Sequence, residues 1–362
     1  MSKKRPVKAG LFLFLVLPFL IWAEPGREKS PPPPPSSLAV QAEPVPGLPS
    51  IHFPADPVQI SVPPLRPFQN GPRFAVIPAS LRPGEPVTVA YADNFSGPGS
   101  RDFQAALLDS QGKRIAKAPF FSFAKDARGQ DVAAAILGVP STAGAGPFFI
   151  RIEAPGRTIQ DIPILVEKRD FILETIALDE ENTAIRTQVD PQKTKEAEQL
   201  WAILNRTGSD IFTSGPFIPP VASTRRTSFF GDRRIYQYVS GSSDTSIHAG
   251  VDYGVPKGTE VRACAPGRVV LARPRIVTGN SVVLEHLPGL YSLYYHLDTI
   301  EAQEGAIVDA GTLLGLSGST GLATGPHLHW EIRTAGENTD PDAFISRAVL
   351  DKDEILSKLI RY

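Results

Sequence analysis

Cysteine is nearly absent from this chain of 362 residues: Cys264 stands alone, which excludes any intrachain disulfide. An excess of charge of either sign is lacking too. Lys and Arg number 37 against 38 Asp and Glu, a net charge of −1, so there is no basic field to hold nucleic acid and no such partner is expected. No sustained repeat runs through the sequence, and no second apolar run suited to a membrane follows the first. Hydrophobic residues still make up 42%, enough for a packed core. Histidine is scarce, with six in all, and unevenly spread.

The single long apolar run comes first. Lys3, Lys4, Arg5 and Lys8 precede Ala9 to Ala23, a stretch of 15 residues broken only by Pro18. That is short of the roughly 20 residues a bilayer span needs, and it fits a secretory signal peptide over residues 1–23. The chain is therefore expected to be exported, with an uncleaved N-terminal anchor as the alternative. No cysteine lies near residue 23 for lipid attachment. Residues 24–72 include Pro31 to Pro35 and little apolar content, so they read as an extended, disordered spacer.

From residue 73 to 168 short apolar runs alternate with turn signals. Phe74 to Ile77, Pro86 to Tyr91, Phe103 to Leu108, Pro147 to Ile152 and Ile162 to Val166 read as strands, with breaks at Asp109 to Gly112 and Ala154 to Gly156. The spacing suggests an immunoglobulin-like β-sandwich that binds or positions, since it carries no catalytic constellation.

Residues 169–224 read as a helical connector. Asp190 and Pro191 supply a helix cap and first turn, Ala197, Leu200, Trp201 and Leu204 recur at helical spacing, and Gly208 can close the end. One amphipathic helix is expected, its Trp201 and Leu204 face docked on a neighbouring domain. A last helix is expected from Asp351 to Leu359, within a tail at 348–362.

Chemistry concentrates after residue 247. His248 and Asp252 form His-x₃-Asp, His296 sits in Tyr-Tyr-His-Leu, and His327 and His329 form His-x-His, all within 82 residues. Imidazole and carboxylate are what a catalytic zinc asks for, three ligands with a position left open, so five groups leave a surplus for proton transfer and oxyanion binding. The pattern points to a metal-dependent hydrolase. Leu328, Trp330 and Ile332 alternate with polar neighbours, the period of a half-buried strand, which sets His327 and His329 on one face about 7 Å apart. Gly250, Gly254 and Pro256 argue against a helix around His248 and Asp252, so this is not the helical zincin motif. His286 reads as a surface or hydrogen-bonded core residue, and Cys264 as a small buried hydrophobe on a strand. Of Tyr294 and Tyr295, one is expected to pack and the other to line a groove.

The segments His-Ala-Gly-Val-Asp-Tyr-Gly-Val-Pro-Lys-Gly-Thr (248–259), Gly-Leu-Tyr-Ser-Leu-Tyr-Tyr-His-Leu (289–297) and Gly-Ser-Thr-Gly-Leu-Ala-Thr-Gly-Pro-His-Leu-His-Trp-Glu (318–331) resemble the lysostaphin-type, or LytM-type, zinc metalloendopeptidases. Ser228 to Arg234 is similar to that family's first strand. The resemblance covers roughly residues 225 to 345 and implies an antiparallel β-sheet peptidase domain, here over 225–347, in a mainly β chain. It makes His248, Asp252 and His329 the ligands of one zinc ion, and His296 and His327 the two unligated catalytic histidines. His327, carried on the ligand strand, is the preferred base. The activity implied is cleavage of peptide cross-links in bacterial peptidoglycan by an enzyme expected to be a monomer. The rival is a non-catalytic wall-binding or hydrolase-activating protein. Some family members have lost ligands, but here all five positions are filled.

Overall fold

The computed structural model describes residues 73–93, 103–154, 157–206 and 208–360. The expected signal segment and Pro-rich segment lie outside the described residues. Strands come first: β1 (Arg73–Ile77), β2 (Ser80–Leu81), β3 (Pro86–Asp93), β4 (Gln104–Leu108), β5 (Arg114–Pro119), β6 (Phe121–Lys125), β7 (Asp131–Gly138), β8 (Gly146–Ala154) and β9 (Arg157–Val166). They form two sheets, ordered β1-β3-β7-β6 and β2-β9-β8-β4-β5. Val87, Val89, Leu107, Ala135, Leu137 and Ile150 fill the space between them. The expected sandwich is therefore present. At the β4–β5 turn the Asp109 carboxylate accepts from the backbone N–H of Gln111 and Lys113, at 3.0 and 2.9 Å, which explains the break there.

Strand β7 is not among the strands expected, because Val132 to Leu137 is apolar without alternation. The structure supplies the reason. Ala133, Ala135 and Leu137 point into the sandwich core, while Val132, Ala134 and Ile136 face a second core that includes Phe344, Val349, Ile355 and Leu359. A strand buried on both faces loses the period of two. Thr88, on the same sheet, donates its hydroxyl to the carbonyl of Val349 at 2.6 Å. One sheet of the sandwich is thus shared with the C-terminal core.

The connector differs from the single helix expected. Strand β10 (Leu173–Ala177) is followed by α1 (Glu180–Thr187) and α2 (Pro191–Leu204). Asp179 starts the extra helix by accepting from the N–H of Asn182 at 2.8 Å, and Asp190 caps α2 through Gln192 N at 2.7 Å. Helix α2 stops before Gly208, where Asn205 turns its amide back onto the Trp201 carbonyl at 2.8 Å. Trp201 remains 56% exposed, so the expected docked face is carried by Leu204, packed with Leu271, Val283 and Leu293.

The remaining elements are β11 (Arg226–Ser228), β12 (Arg233–Gln237), β13 (Ser243–Ile247), β14 (Val251–Tyr253), β15 (Glu260–Arg262), β16 (Gly267–Arg275), β17 (Gly279–Leu287), β18 (Leu290–Ile300), β19 (Ile307–Val308), β20 (Leu313–Ser317), β21 (Leu328–Thr334), β22 (Glu337–Thr339), α3 (Pro341–Ser346) and α4 (Lys352–Ile360). A large antiparallel sheet runs β11-β14-β21-β18-β17-β16-β19, and β10-β12-β13 forms a smaller one in which β10 and β12 are parallel. Helix α4 matches the expected last helix, with the Asp351 carboxylate accepting from Glu354 N at 2.9 Å. Among the described residues no helix is long and apolar enough to cross a membrane.

Candidate active site

Strand β21 lies inside the large sheet between β14 and β18, and every one of its residues is buried. It is not the half-buried strand expected. Leu328, Trp330 and Ile332 enter the apolar core on one face, and His329, Glu331 and Arg333 form a buried polar layer on the other. The alternation is a sign of two different buried faces.

The sheet register brings the candidate ligands together. Asp252 on β14 is the cross-strand partner of His329. His248 arrives from the link between β13 and β14, where Gly250 lies so close to the Trp330 carbonyl that a Cβ would stand 2.2 Å from its oxygen. His248 Nε2 lies 3.1 Å from Asp252 Oδ1 and 3.0 Å from His329 Nδ1, which is itself 2.7 Å from that oxygen. Each ring is also anchored at its other nitrogen: His248 Nδ1 donates to the Phe229 carbonyl at 2.7 Å, and His329 Nε2 donates to Glu331 at 3.0 Å. Arg333 in turn holds Glu331, with Nε 3.0 Å from Oε2. Tyr295 stacks on the His329 ring, centroids 5.7 Å apart and planes within 5°.

The two remaining histidines face each other, ring centroids 4.9 Å apart. A bulge in β18 places His296: Tyr294 pairs with Val282 and Leu297 with Asn280, leaving two residues opposite one. His296 takes a left-handed φ of 61°, a strained backbone for a residue with a Cβ. Its Nδ1 donates to the Thr320 carbonyl at 2.7 Å, and that of His327 to the Gly325 carbonyl at 2.8 Å. Because a carbonyl only accepts, Nδ1 bears the proton on both rings and Nε2 is a free lone pair in the neutral form. Both Nε2 atoms are buried without a hydrogen-bond partner. Buried polar atoms are normally satisfied, so two orphans beside three convergent donors mark a place built for something else. His327 Nε2 lies 4.0 Å from Asp252 Oδ1.

His248, Asp252, His296, His327 and His329 are each at most 1% exposed, so burial and neighbouring charge set their proton affinities. Burial pushes His248 down to about 4, helped by the positive charge of Arg234. Burial, then the neighbouring His327, lowers His296 well below the usual range, and burial lowers His327. Burial opposes charge on Asp252 as well, but the two flanking imidazoles hold its carboxyl well below the usual carboxylate range. His329, between Asp252 and Glu331, overcomes burial and is pushed up to about 9. Glu331 overcomes burial through Arg333 and His329 and falls to about 2.

His248 Nε2, Asp252 and His329 Nδ1 offer two nitrogens and one oxygen within 4.8 Å of one another. That donor set, with two unsatisfied nitrogens nearby, fits a catalytic zinc ion. His286 lies outside the site. It is a core residue, bonded to the Pro266 carbonyl and to Ser292 Oγ, each at 2.7 Å. Cys264 lies just past the end of β15 and not on a strand, and burial pushes its thiol up to about 12. Tyr294 and Tyr295 are both buried, whereas one is expected from the sequence to line a groove. Sequence reasoning assigns no role to Arg234, Ser228, Glu331 or Arg333; the only signal is polar residues alternating with apolar ones on β21, which carries Glu331 and Arg333.

The sequence profile of Peptidase family M23 matches residues 246–341. This segment is an M23 peptidase domain. The chain is 39% identical over 124 residues to the DD-carboxypeptidase/endopeptidase Mpg of Neisseria meningitidis serogroup B, covering 34% of this chain and 28% of that protein. It is 36% identical over 118 residues to the peptidoglycan DD-endopeptidase ShyA of Vibrio cholerae, covering 33% of this chain and 27% of that protein. The alignments therefore span under a third of the length of these curated relatives. A crystal structure from Pseudomonas aeruginosa described as a peptidase M23 shares 23% identity and a TM-score of 0.51, over 73% of this chain and 94% of that one. This last likeness is one of fold, and it extends beyond the M23 domain.

Proposed function

We propose that this chain is an exported zinc endopeptidase that cleaves peptide cross-links of bacterial peptidoglycan, with His248, Asp252 and His329 holding the metal and His296 and His327 acting on protons and oxyanion. The observation that carries this reading is the convergence of three ligand atoms beside two buried imidazoles whose Nε2 lone pairs have no partner. Similarity of the M23 domain to proteins named as DD-endopeptidases supports the substrate class and action in the periplasm or cell envelope.

When bound, zinc supplies Lewis acidity toward a peptide carbonyl and makes water a better proton donor at neutral pH. The chain's own residues do the rest. His327 is the general base: its Nε2 is unprotonated, and the imidazolium it forms on accepting a proton lies 4.0 Å from the Asp252 carboxylate. His296, fixed by the bulge and by Thr320, stands across from it and acts on the developing oxyanion as an Nε2–H donor in its protonated form, while the proton that His327 accepts from water is the one handed to the leaving amine. The Glu331–Arg333 pair keeps His329 turned with Nδ1 inward.

Digestion of purified peptidoglycan, with mass spectrometry of the released peptides, tests the reading. Zinc-dependent appearance of uncross-linked stem peptides is expected. Stoichiometric zinc with no cross-link release would support a wall-binding or activating protein instead.

A further inference from the structure

A fully buried charge beside the site belongs to a residue outside the five. Arg234, on β12, is 1% exposed. Its Nη2 donates to Asp252 Oδ2 at 3.2 Å, and the same nitrogen donates to Ser228 Oγ. Ser228 Oγ is in turn 3.3 Å from Asp232 Oδ2. Glu174 stands farther off, 3.9 Å from Arg234 Nε. Nε and Nη1 are buried with no hydrogen-bond partner. Burying a guanidinium with two unsatisfied donors is an expensive way to fill space, and an apolar side chain of similar volume would do that better. Its one carboxylate within hydrogen-bond reach is a candidate metal ligand.

Asp252 has two oxygens, and the structure divides them. Oδ1 faces the imidazoles of His248 and His329, while Oδ2 is taken by Arg234. A free carboxylate can give a metal one oxygen or both, and a catalytic zinc works with three protein donors and an open position. We propose that Arg234 is a positioning residue that reserves Oδ2 of Asp252, so that only Oδ1 is offered to the metal and the open position is kept. Ser228 aims Arg234 at that oxygen. The anchor comes from the small sheet, so the β10-β12-β13 layer is part of the metal site's support.

This inference rests on the zinc reading, and the test separates the two. In the full chain, zinc affinity is measured by competition with a chromophoric chelator, and the visible absorption of the cobalt-substituted protein reports coordination number, since four-coordinate cobalt absorbs more strongly than five-coordinate. Arg234→Met is expected to weaken zinc binding about 10- to 100-fold, the usual scale for losing a partner of a ligand, and to weaken the cobalt absorption. Arg234→Lys, which still donates to Oδ2, is expected to restore most of that absorption, a rescue that general loosening of the fold would not give. A folded Arg234→Met with parental affinity and spectrum overturns the proposal. Should the methionine variant not fold, Ser228→Ala serves: it leaves the charge in place, and a several-fold loss of zinc affinity is expected, whereas unchanged affinity and spectrum overturn the proposal. If the parent chain binds no zinc, the functional reading itself fails; if the parent binds and the variants are unchanged, only the role of Arg234 does.

Discussion

Removing the metal should make the stability of this protein depend on pH in a way that the zinc-loaded protein does not share. In the metal-free site His329 is pushed up to about 9 by Asp252 and Glu331, against an ordinary value of 6.5. A raised folded value means that the folded protein holds the proton more tightly than the unfolded chain. The resulting stability is complete below pH 6.5 and is lost as pH rises through 9. Each pH unit between the two values is worth about 1.4 kcal/mol, so the loss over that window is about 3 kcal/mol. Below pH 6.5 the sign reverses. His248 is pushed down to about 4, so the unfolded chain takes up its proton first and stability falls as pH drops from 6.5 toward 4. His286, likewise held at about 4 by burial, adds to that fall. With zinc bound, His329 is a neutral ligand and no proton is left to lose, so stability between pH 6.5 and 9 should be flat. Guanidinium unfolding of chelator-treated and zinc-loaded protein across pH 6 to 9 measures both curves. The reasoning is refuted if the metal-free protein is equally stable at pH 6.5 and 9, or if the zinc-loaded protein declines in parallel.

Replacing His248, Asp252 or His329 by Ala should empty the metal site, read as zinc per chain by metal analysis; full zinc with retained activity in His329→Ala would reject the ligand set. His296→Ala and His327→Ala should keep zinc and lose on the order of 10²-fold or more in turnover, measured on cross-linked peptides; loss of metal in His327→Ala alone would mean that the two roles in His-x-His are exchanged. Leu204→Ala should cost about 2–5 kcal/mol in denaturant unfolding, because Leu204 is 2% exposed and packed on Leu271, Val283 and Leu293. Trp201→Ala, at a site 56% exposed, should change stability by no more than about 1 kcal/mol, and equal costs for the two would contradict the docking of α2.

Much of the candidate site is legible in the sequence because its chemistry is written in residue type and short spacing. His327 and His329 two apart, and His248 and Asp252 either side of Gly250, are local patterns that survive without knowledge of the fold. Strands β1, β3, β4, β8 and β9 of the sandwich are legible for the same reason, as is the start of α2 at Asp190 and Pro191, whereas β2, β5 and β6 are not among the runs read as strands. Nor is strand β7, since burial on both faces erases the alternation by which a strand is recognised. Helix α1 escapes notice because its eight residues include only two apolar ones, Ala184 and Ile185, leaving the Asp179 cap and charged ends as its signal. The bulge that gives His296 its φ of 61° depends on the register between β17 and β18, which no segment carries alone.

By itself, then, the order of residues determined which groups are available for metal and proton chemistry, and that the chain is mainly β. Only the tertiary structure decided what surrounds them. Whether His329 is charged depends on Glu331 beside it and on Asp252 from a neighbouring strand, and which oxygen of Asp252 is free depends on Arg234, 18 residues away on another sheet. Ligand identity is a property of single side chains, whereas orientation and proton affinity are sums over neighbours that folding brings within a few ångströms, where Coulomb and desolvation terms are strongest.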